Sequence, residues 1–458
     1  MAIATINPTT GVTEREFEPH SPEQIEGALA AAGAAVVLLR ATSFAQRSAW
    51  MNAAAGILEA EVEQVARMLT TEMGKTLASA RAEVLKCAKG MRFYAENAER
   101  FLADEPIADP SAVGASRAYA CYQPLGVVLA VMPWNYPLWQ AVRFAAPALM
   151  AGNVGLLKHA SNVPQSALYL GELFGRGGFP AGAFATILIG SSGVAAIIAD
   201  RRVKAVTLTG SEPAGRSVAS IAGQNIKKAV LELGGSDPFI VMPSADVRSA
   251  AAMATTARTA NGGQSCIAAK RFIVHADVYD EFTKLFVLAM GRLTVGDPMV
   301  ETTDVGPLAT QAGRDEIACL VDDALANGAV ALVGGSTPGG PGWFYPPTVL
   351  GGITESMRLH LEEAFGPVAT LYRVESIDEA IEIANVTNFG LSSSVWTTDD
   401  AEQEQFSAEL DAGAVFINGM TISYPELPFG GIKDSGYGRE LAAAGIREFC
   451  NLKTIWKA

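Results

Sequence analysis

From Val127 onward the chain alternates short apolar runs with helical stretches, and that rhythm limits the folds open to it. The runs are Val127–Met132, Val154–Lys158, Ala183–Ile189, Ala205–Thr209 and Ala229–Leu233. Runs this short, apolar throughout rather than alternately, suit strands covered on both faces, with the intervening helices as the cover. The expectation is an α/β fold built on a parallel sheet. The rhythm resumes beyond a helix over roughly 247–260, with strand candidates at Arg271–His275, Ala329–Val333, Val368–Arg373, Ser394–Trp396 and Val415–Ile417. A chain of 458 residues exceeds one ordinary core, and Gly234-Gly235 marks the expected boundary between two domains. Residues 1–105 read as mostly helical. Ser21-Pro22-Glu23-Gln24 opens the first helix with an N-cap, a first-turn proline and a capping-box partner. Leu452–Trp456 reads as a terminal edge strand.

Several classes of function are disfavoured. A net charge of -14 argues against a nucleic-acid partner. The N-terminus lacks a basic region followed by an apolar one, and the most apolar stretches, such as 126–132 and 144–151, fall short of a membrane span. Five scattered cysteines suit a reducing cytoplasm better than a disulfide framework, and four isolated histidines show no metal spacing. Gly74-Lys75-Thr76 is no phosphate-binding loop, since Leu69 stands where its first glycine is required.

The stretch from Ala229 to Cys266 holds the chemistry. Cys266 ends Asn-Gly-Gly-Gln-Ser-Cys, and a helix starting near Ser265 would depress its thiol pKa and stabilise an oxyanion. The alternative is a buried, inert cysteine. Glu232 sits among Val230, Leu231 and Leu233, where desolvation would raise its pKa toward that of a general base; a surface carboxylate is equally compatible. Asn135 precedes a helix running to about Met150, as its N-cap or as an amide donor to an oxyanion. Trp139 and Arg143 share its helical face, Arg143 roughly 12 Å away, where a guanidinium could hold a remote carboxylate or form a domain-face ion pair. Lys158 ends one strand and Ser161 follows it. Thr209-Gly210-Ser211 follows another and precedes a helix, a position suited to a ligand phosphate.

In order and spacing, Pro133–Pro137 (PWNYP), Lys158, Thr209-Gly210-Ser211, Leu231–Gly235 (LELGG), Gly263–Cys266 (GQSC), Glu363–Pro367 (EAFGP) and Pro428–Gly431 (PFGG) resemble the NAD(P)-dependent aldehyde dehydrogenase superfamily, over nearly the whole chain. LLKHASNVPQ, GSDPF and GQSCIAAKRF are most similar to its bacterial succinate-semialdehyde dehydrogenases. The resemblance implies a Rossmann-like cofactor domain (1–114 and 133–233), an α/β catalytic domain (234–425) and a small β oligomerisation flap (115–132 and 426–458) in a homodimer or homotetramer. It implies that Cys266 is the nucleophile, Asn135 the oxyanion donor and Glu232 the hydrolytic base. Trp134, Lys158, Ser161, Thr209, Gly210, Ser211, Leu233, Glu363 and Phe365 would bind the cofactor, and Arg143, Trp139, Ser423 and Phe429 the substrate. Many NAD-preferring relatives carry a glutamate three residues beyond the lysine. Here it is Ser161, which removes a repulsion with a 2′-phosphate of about 4 kcal/mol per unit charge at ~4 Å and an effective dielectric of ~20. NADP is therefore expected in preference to NAD, with His159 as a further donor. The expected reaction is oxidation of succinate semialdehyde to succinate, the alternative being a broad-specificity dehydrogenase of short aldehydes.

Overall fold

The computed structural model describes residues 2–458. Its first sheet has six strands in the order Gly436–Tyr437, Lys228–Glu232, Val203–Thr209, Val127–Met132, Val154–His159, Phe184–Thr186. All but the first of these run parallel. The chain starts this sheet at Val127–Met132, builds outward to Phe184–Thr186, then returns to the other side through Val203–Thr209. The order reverses between Val127–Met132 and Val203–Thr209, and a doubly wound sheet binds ligands beyond the carboxyl ends of strands that meet at such a point. A second, seven-stranded sheet runs Val330–Val333, Thr348–Gly351, Val368–Val374, Arg271–His275, Pro238–Val241, Ser393–Trp396, Val415–Ile417. A third pairs Cys450–Lys457 and Glu105–Pro106 on either side of Arg117–Pro124.

Two expectations change. Val127–Met132 was expected in the projecting flap but is the fourth of six strands in the first sheet, almost wholly buried. An unbroken apolar run needs cover on both faces, which a flap cannot give. Residues 426–458 do not form one segment either: Gly436–Tyr437 extends the first sheet and only Cys450–Lys457 joins the third. The N-terminal region is mostly helical as expected, but it opens with a hairpin of Ile3–Asn7 and Val12–Phe17. The second of these strands, Val-Thr-Glu-Arg-Glu-Phe, buries no residue and so gave no amphipathic signal. The helix Pro22–Arg40 is long and apolar enough by composition to cross a membrane, yet it packs Leu29, Ala32, Ala35 and Leu39 into the core.

A buried ion pair joins the N-terminal helices to the site. Glu83, on the helix Leu77–Phe101, pairs with Lys75, both side chains fully buried. Its Oε1 also accepts from the backbone N–H groups of Leu138 (2.8 Å) and Trp139 (3.0 Å), which open the helix Trp139–Ala151. Glu83 therefore caps that helix from outside it, a role expected of Asn135, which lies three residues ahead of the observed N-cap position, Leu138. Replacing Glu83 by Ala would strand the Lys75 charge and two helix-end donors. We expect a loss of about 3–5 kcal/mol in denaturant unfolding; a change below ~1 kcal/mol would rule this pair out as a structural anchor.

Candidate active site

Cys266 stands where two cavities meet. One, of about 270 Å³, is lined by Trp134, Asn135, Thr209, Gly210, Ser211, Leu233, Glu363 and Phe365 among others, at the reversal point of the first sheet. The other, of about 120 Å³, is lined by Lys86, Tyr136, Trp139, Arg143, Ser423 and Phe429 among others. Cys266 is the one residue common to both linings.

The loop that presents the thiol is tightly determined. Asn261, Gly262 and Gly263 all take positive φ, at 57°, 65° and 75°. At Gly263 a side chain would also meet the Gly366 carbonyl oxygen at 2.3 Å. Asn tolerates this conformation better than most residues, and glycine adopts it freely. The loop is tied to the other domain in both directions. Asn261 Nδ2 donates to the Asn135 carbonyl at 2.8 Å, and Asn135 Nδ2 donates to the Gln264 carbonyl at 3.1 Å. Lys270 Nζ holds the Ser265 and Cys266 carbonyls at 2.8 and 2.6 Å and lies 3.0 Å from Glu363.

No helix begins at Ser265: residues 266–268 form a turn. The expected depression of the thiol pKa is accordingly absent. Burial pushes Cys266 up to about 12, against the opposing pull of Arg143 and Lys270. Glu232 is likewise pushed well above the carboxylate range, first by burial and then by Glu440. Both its carboxylate oxygens lack a hydrogen-bond partner, and Oε1 lies against Gly430, 2.6 Å from where a Cβ would stand. Glu232 lines neither cavity.

Residues 1–455 match the aldehyde dehydrogenase family model. The chain belongs to the aldehyde dehydrogenase family. It is 66% identical over 457 residues to the NADP(+) succinate-semialdehyde dehydrogenase of Mycobacterium avium, covering all of this chain and 97% of that one. It is 64% identical to a Mycobacterium tuberculosis enzyme of the same description, over the full length of both. Among solved structures, the succinic semialdehyde dehydrogenase of Streptococcus pyogenes in complex with NADP+ superposes with a TM-score of 0.96 at 37% identity, covering 99% of each chain.

In this aldehyde dehydrogenase the expected cofactor residues divide into two sets. Trp134, Thr209, Gly210, Ser211, Leu233, Glu363 and Phe365 surround the larger cavity. Lys158 and Ser161 lie outside its lining, at and just beyond the end of the strand Val154–His159. The family's cofactor suits this cavity: Ser211 occupies the N-cap of the helix Glu212–Gln224 without capping it, leaving first-turn N–H groups for an anion, and the Glu363 carboxylate offers acceptors to hydroxyls. His159 is not a free donor. Its Nδ1 accepts from the Ala160 N–H at 2.9 Å, so Nε2 must donate to the Pro137 carbonyl at 2.7 Å; burial lowers its pKa to about 4. Nor does Ser161 cap a helix, the next one starting at Pro164 with Val163 as its N-cap residue.

At the substrate end Arg143 carries a partner that the sequence did not reveal. It lines the smaller cavity as expected, but its Nε pairs with buried Glu440. Its Nη2 lies 3.4 Å from Thr209 Oγ1, and its guanidinium covers the Phe429 ring at 4.6 Å. Its charge is thus matched within the protein, and helical spacing could not reveal a partner almost 300 positions away. Sequence reasoning missed Lys86, Lys270 and Glu440. The signal for Lys86 was present: it falls on a helix between two residues that face the site, Glu83 and Gly90. Gly90 lacks the Cβ that would meet Trp139 at 2.9 Å.

Gly234 makes a separate demand, since a Cβ there would lie 2.2 Å from Glu212 Oε1 and 2.7 Å from Glu363 Oε2. Gly234→Ala should displace Glu363 and raise KM for the cofactor on the order of tenfold, about 1.4 kcal/mol, with little change in thermal midpoint. An unchanged KM would show that Glu363 does not need its observed position.

Proposed function

We propose that this enzyme oxidises succinate semialdehyde to succinate with NADP as the preferred oxidant, working in the cytoplasm as a homodimer or homotetramer. The observation that carries the chemistry is the position of Cys266 between the two cavities, where one group can contact both aldehyde and cofactor. The high full-length identity to NADP(+) succinate-semialdehyde dehydrogenases supports the choice of substrate and cofactor. Five free cysteines agree with a reducing compartment. The strand Cys450–Lys457, at a sheet edge with Leu452 and Trp456 more than half exposed, supports pairing between subunits.

In this reading the Cys266 sulfur bonds to the aldehyde carbon as its proton passes to water. The carbonyl oxygen takes up negative charge, which the Asn135 amide and the Cys266 backbone N–H stabilise. NADP, held by Trp134, Ser211, Glu363 and Phe365, would supply the hydride acceptor at the carbon bound to Cys266, and the sulfur would keep the resulting acyl group. Glu232 then turns from Gly430, takes a proton from water, and the water oxygen displaces the thiol, releasing the acid. Burial around Glu232 favours its neutral form and so raises its basicity when ionised. Turnover should therefore fall as pH drops through the raised Glu232 pKa, where the base becomes protonated. Lys158 supplies positive charge near the 2′-phosphate, and Ser161 brings no opposing carboxylate.

Steady-state kinetics with NADP and NAD, on succinate semialdehyde and butyraldehyde, test the reading. We expect the highest kcat/KM for the NADP and succinate semialdehyde pair. Equal or better kcat/KM with NAD would refute the cofactor choice, and no advantage over butyraldehyde would refute the substrate. Asn135→Ala should lower kcat by about 10²–10³-fold; a loss below about threefold would remove the amide from the oxyanion role.

A further inference from the structure

In and around the smaller cavity, Lys86 is the positive charge with no ion-pair partner. Lys75 and Glu83 form one buried pair and Arg143 and Glu440 another. One turn beyond Lys86 on the same helix, Lys89 lies 3.6 Å from Glu426. That leaves Lys86. No carboxylate among the described residues pairs with it, and its Nζ donates to the Ser423 hydroxyl at 2.8 Å while lying 4.5 Å above the Trp139 ring. Burial lowers its pKa to about 8, with nearby Arg143 acting in the same direction. An anionic ligand would relieve both effects.

Ser423 points the same way. Its oxygen accepts from Lys86 and also from Trp139 Nε1 at 2.9 Å. A hydroxyl has two acceptor sites and one proton, so with both sites engaged the proton is left to donate, and none of the described residues accepts it. Lys86 and Ser423 thus present an ammonium and a hydroxyl donor side by side, in the same cavity as the Cys266 thiol. A carboxylate accepts from both and gains the strength of a charge-assisted bond.

Resting on the substrate proposed above, we infer that Lys86 is a specificity-determining residue: with Ser423 it binds the remote carboxylate of the semialdehyde while the aldehyde carbon lies against Cys266. Arg143, already paired with Glu440, lines the same cavity.

The test compares wild type, Lys86→Met and Lys86→Arg, each as the full-length enzyme with saturating NADP, on succinate semialdehyde and butyraldehyde. Lys86→Met should raise KM for succinate semialdehyde roughly 10- to 100-fold, keep kcat within a few-fold, and leave KM for butyraldehyde unchanged or lower. Lys86→Arg should recover part of the loss. Turnover of butyraldehyde reports that the variant is folded, and Lys86→Gln carries the same comparison if the methionine variant is not. A wild type that favours succinate semialdehyde, with an unchanged KM in Lys86→Met, overturns the role of Lys86 alone. Equal losses on both aldehydes overturn it too, as the mark of a structural residue. A wild type with no preference for the charged aldehyde overturns the substrate reading and this inference with it.

Discussion

Two hydrogen bonds running in opposite directions, from Asn261 to the Asn135 carbonyl and from Asn135 to the Gln264 carbonyl, hold this active site together. One partner belongs to the turn after the strand Val127–Met132, the other to the loop that carries Cys266. Each side thereby satisfies polar groups of the other that burial would otherwise leave unpaired. The rest of the site is arranged around this join. Glu83 fixes the helix that follows Asn135, Lys270 fixes the carbonyls of the thiol turn, and Gly234 and Gly235 let the chain cross between the sheets beside Glu363 and the Cys266 carbonyl.

Burial governs the electrostatics more than any single charge. It raises Cys266, Glu232, Glu363 and Asp237 and lowers Lys86 and Lys158. Burial favours the protonated thiol at Cys266 and the neutral acid at Glu232. That arrangement protects a nucleophilic sulfur from adventitious reaction, because the thiolate and not the thiol is the reactive form. The compensating pairs, Lys75 with Glu83 and Arg143 with Glu440, are each assembled from separate elements, and Lys86 is left without a carboxylate partner.

Much of this was legible in the sequence, because strands covered on both faces announce themselves as short apolar runs and because the glycines of Gly262-Gly263 and Gly234-Gly235 are forced by geometry. Trp134, Asn135, Thr209, Gly210, Ser211, Leu233, Glu363, Phe365 and Cys266 do meet around one cavity. What sequence could not supply was long-range pairing. Arg143 has the helical position of a substrate clamp, and only its contact with Glu440 shows that its charge is matched. The run at Val127–Met132 went to the wrong unit because its neighbours Arg117–Pro124 do form the third sheet, and no local signal marks where a chain leaves one sheet for another. The tight turn expected at Gly262-Gly263 is present in left-handed form, and no helix follows it at Ser265.

The central claim is that aldehyde chemistry takes place on Cys266, between the two cavities, and that Glu232 resolves the product of it. Intact-protein mass spectrometry of a Glu232→Gln variant mixed with succinate semialdehyde and NADP measures this most directly. The account predicts a mass increase of one succinyl group, on the peptide containing Cys266 and only when NADP is present. An adduct on another residue, an oxidised acyl adduct formed without cofactor, or none despite reduction of NADP in the first turnover would contradict it.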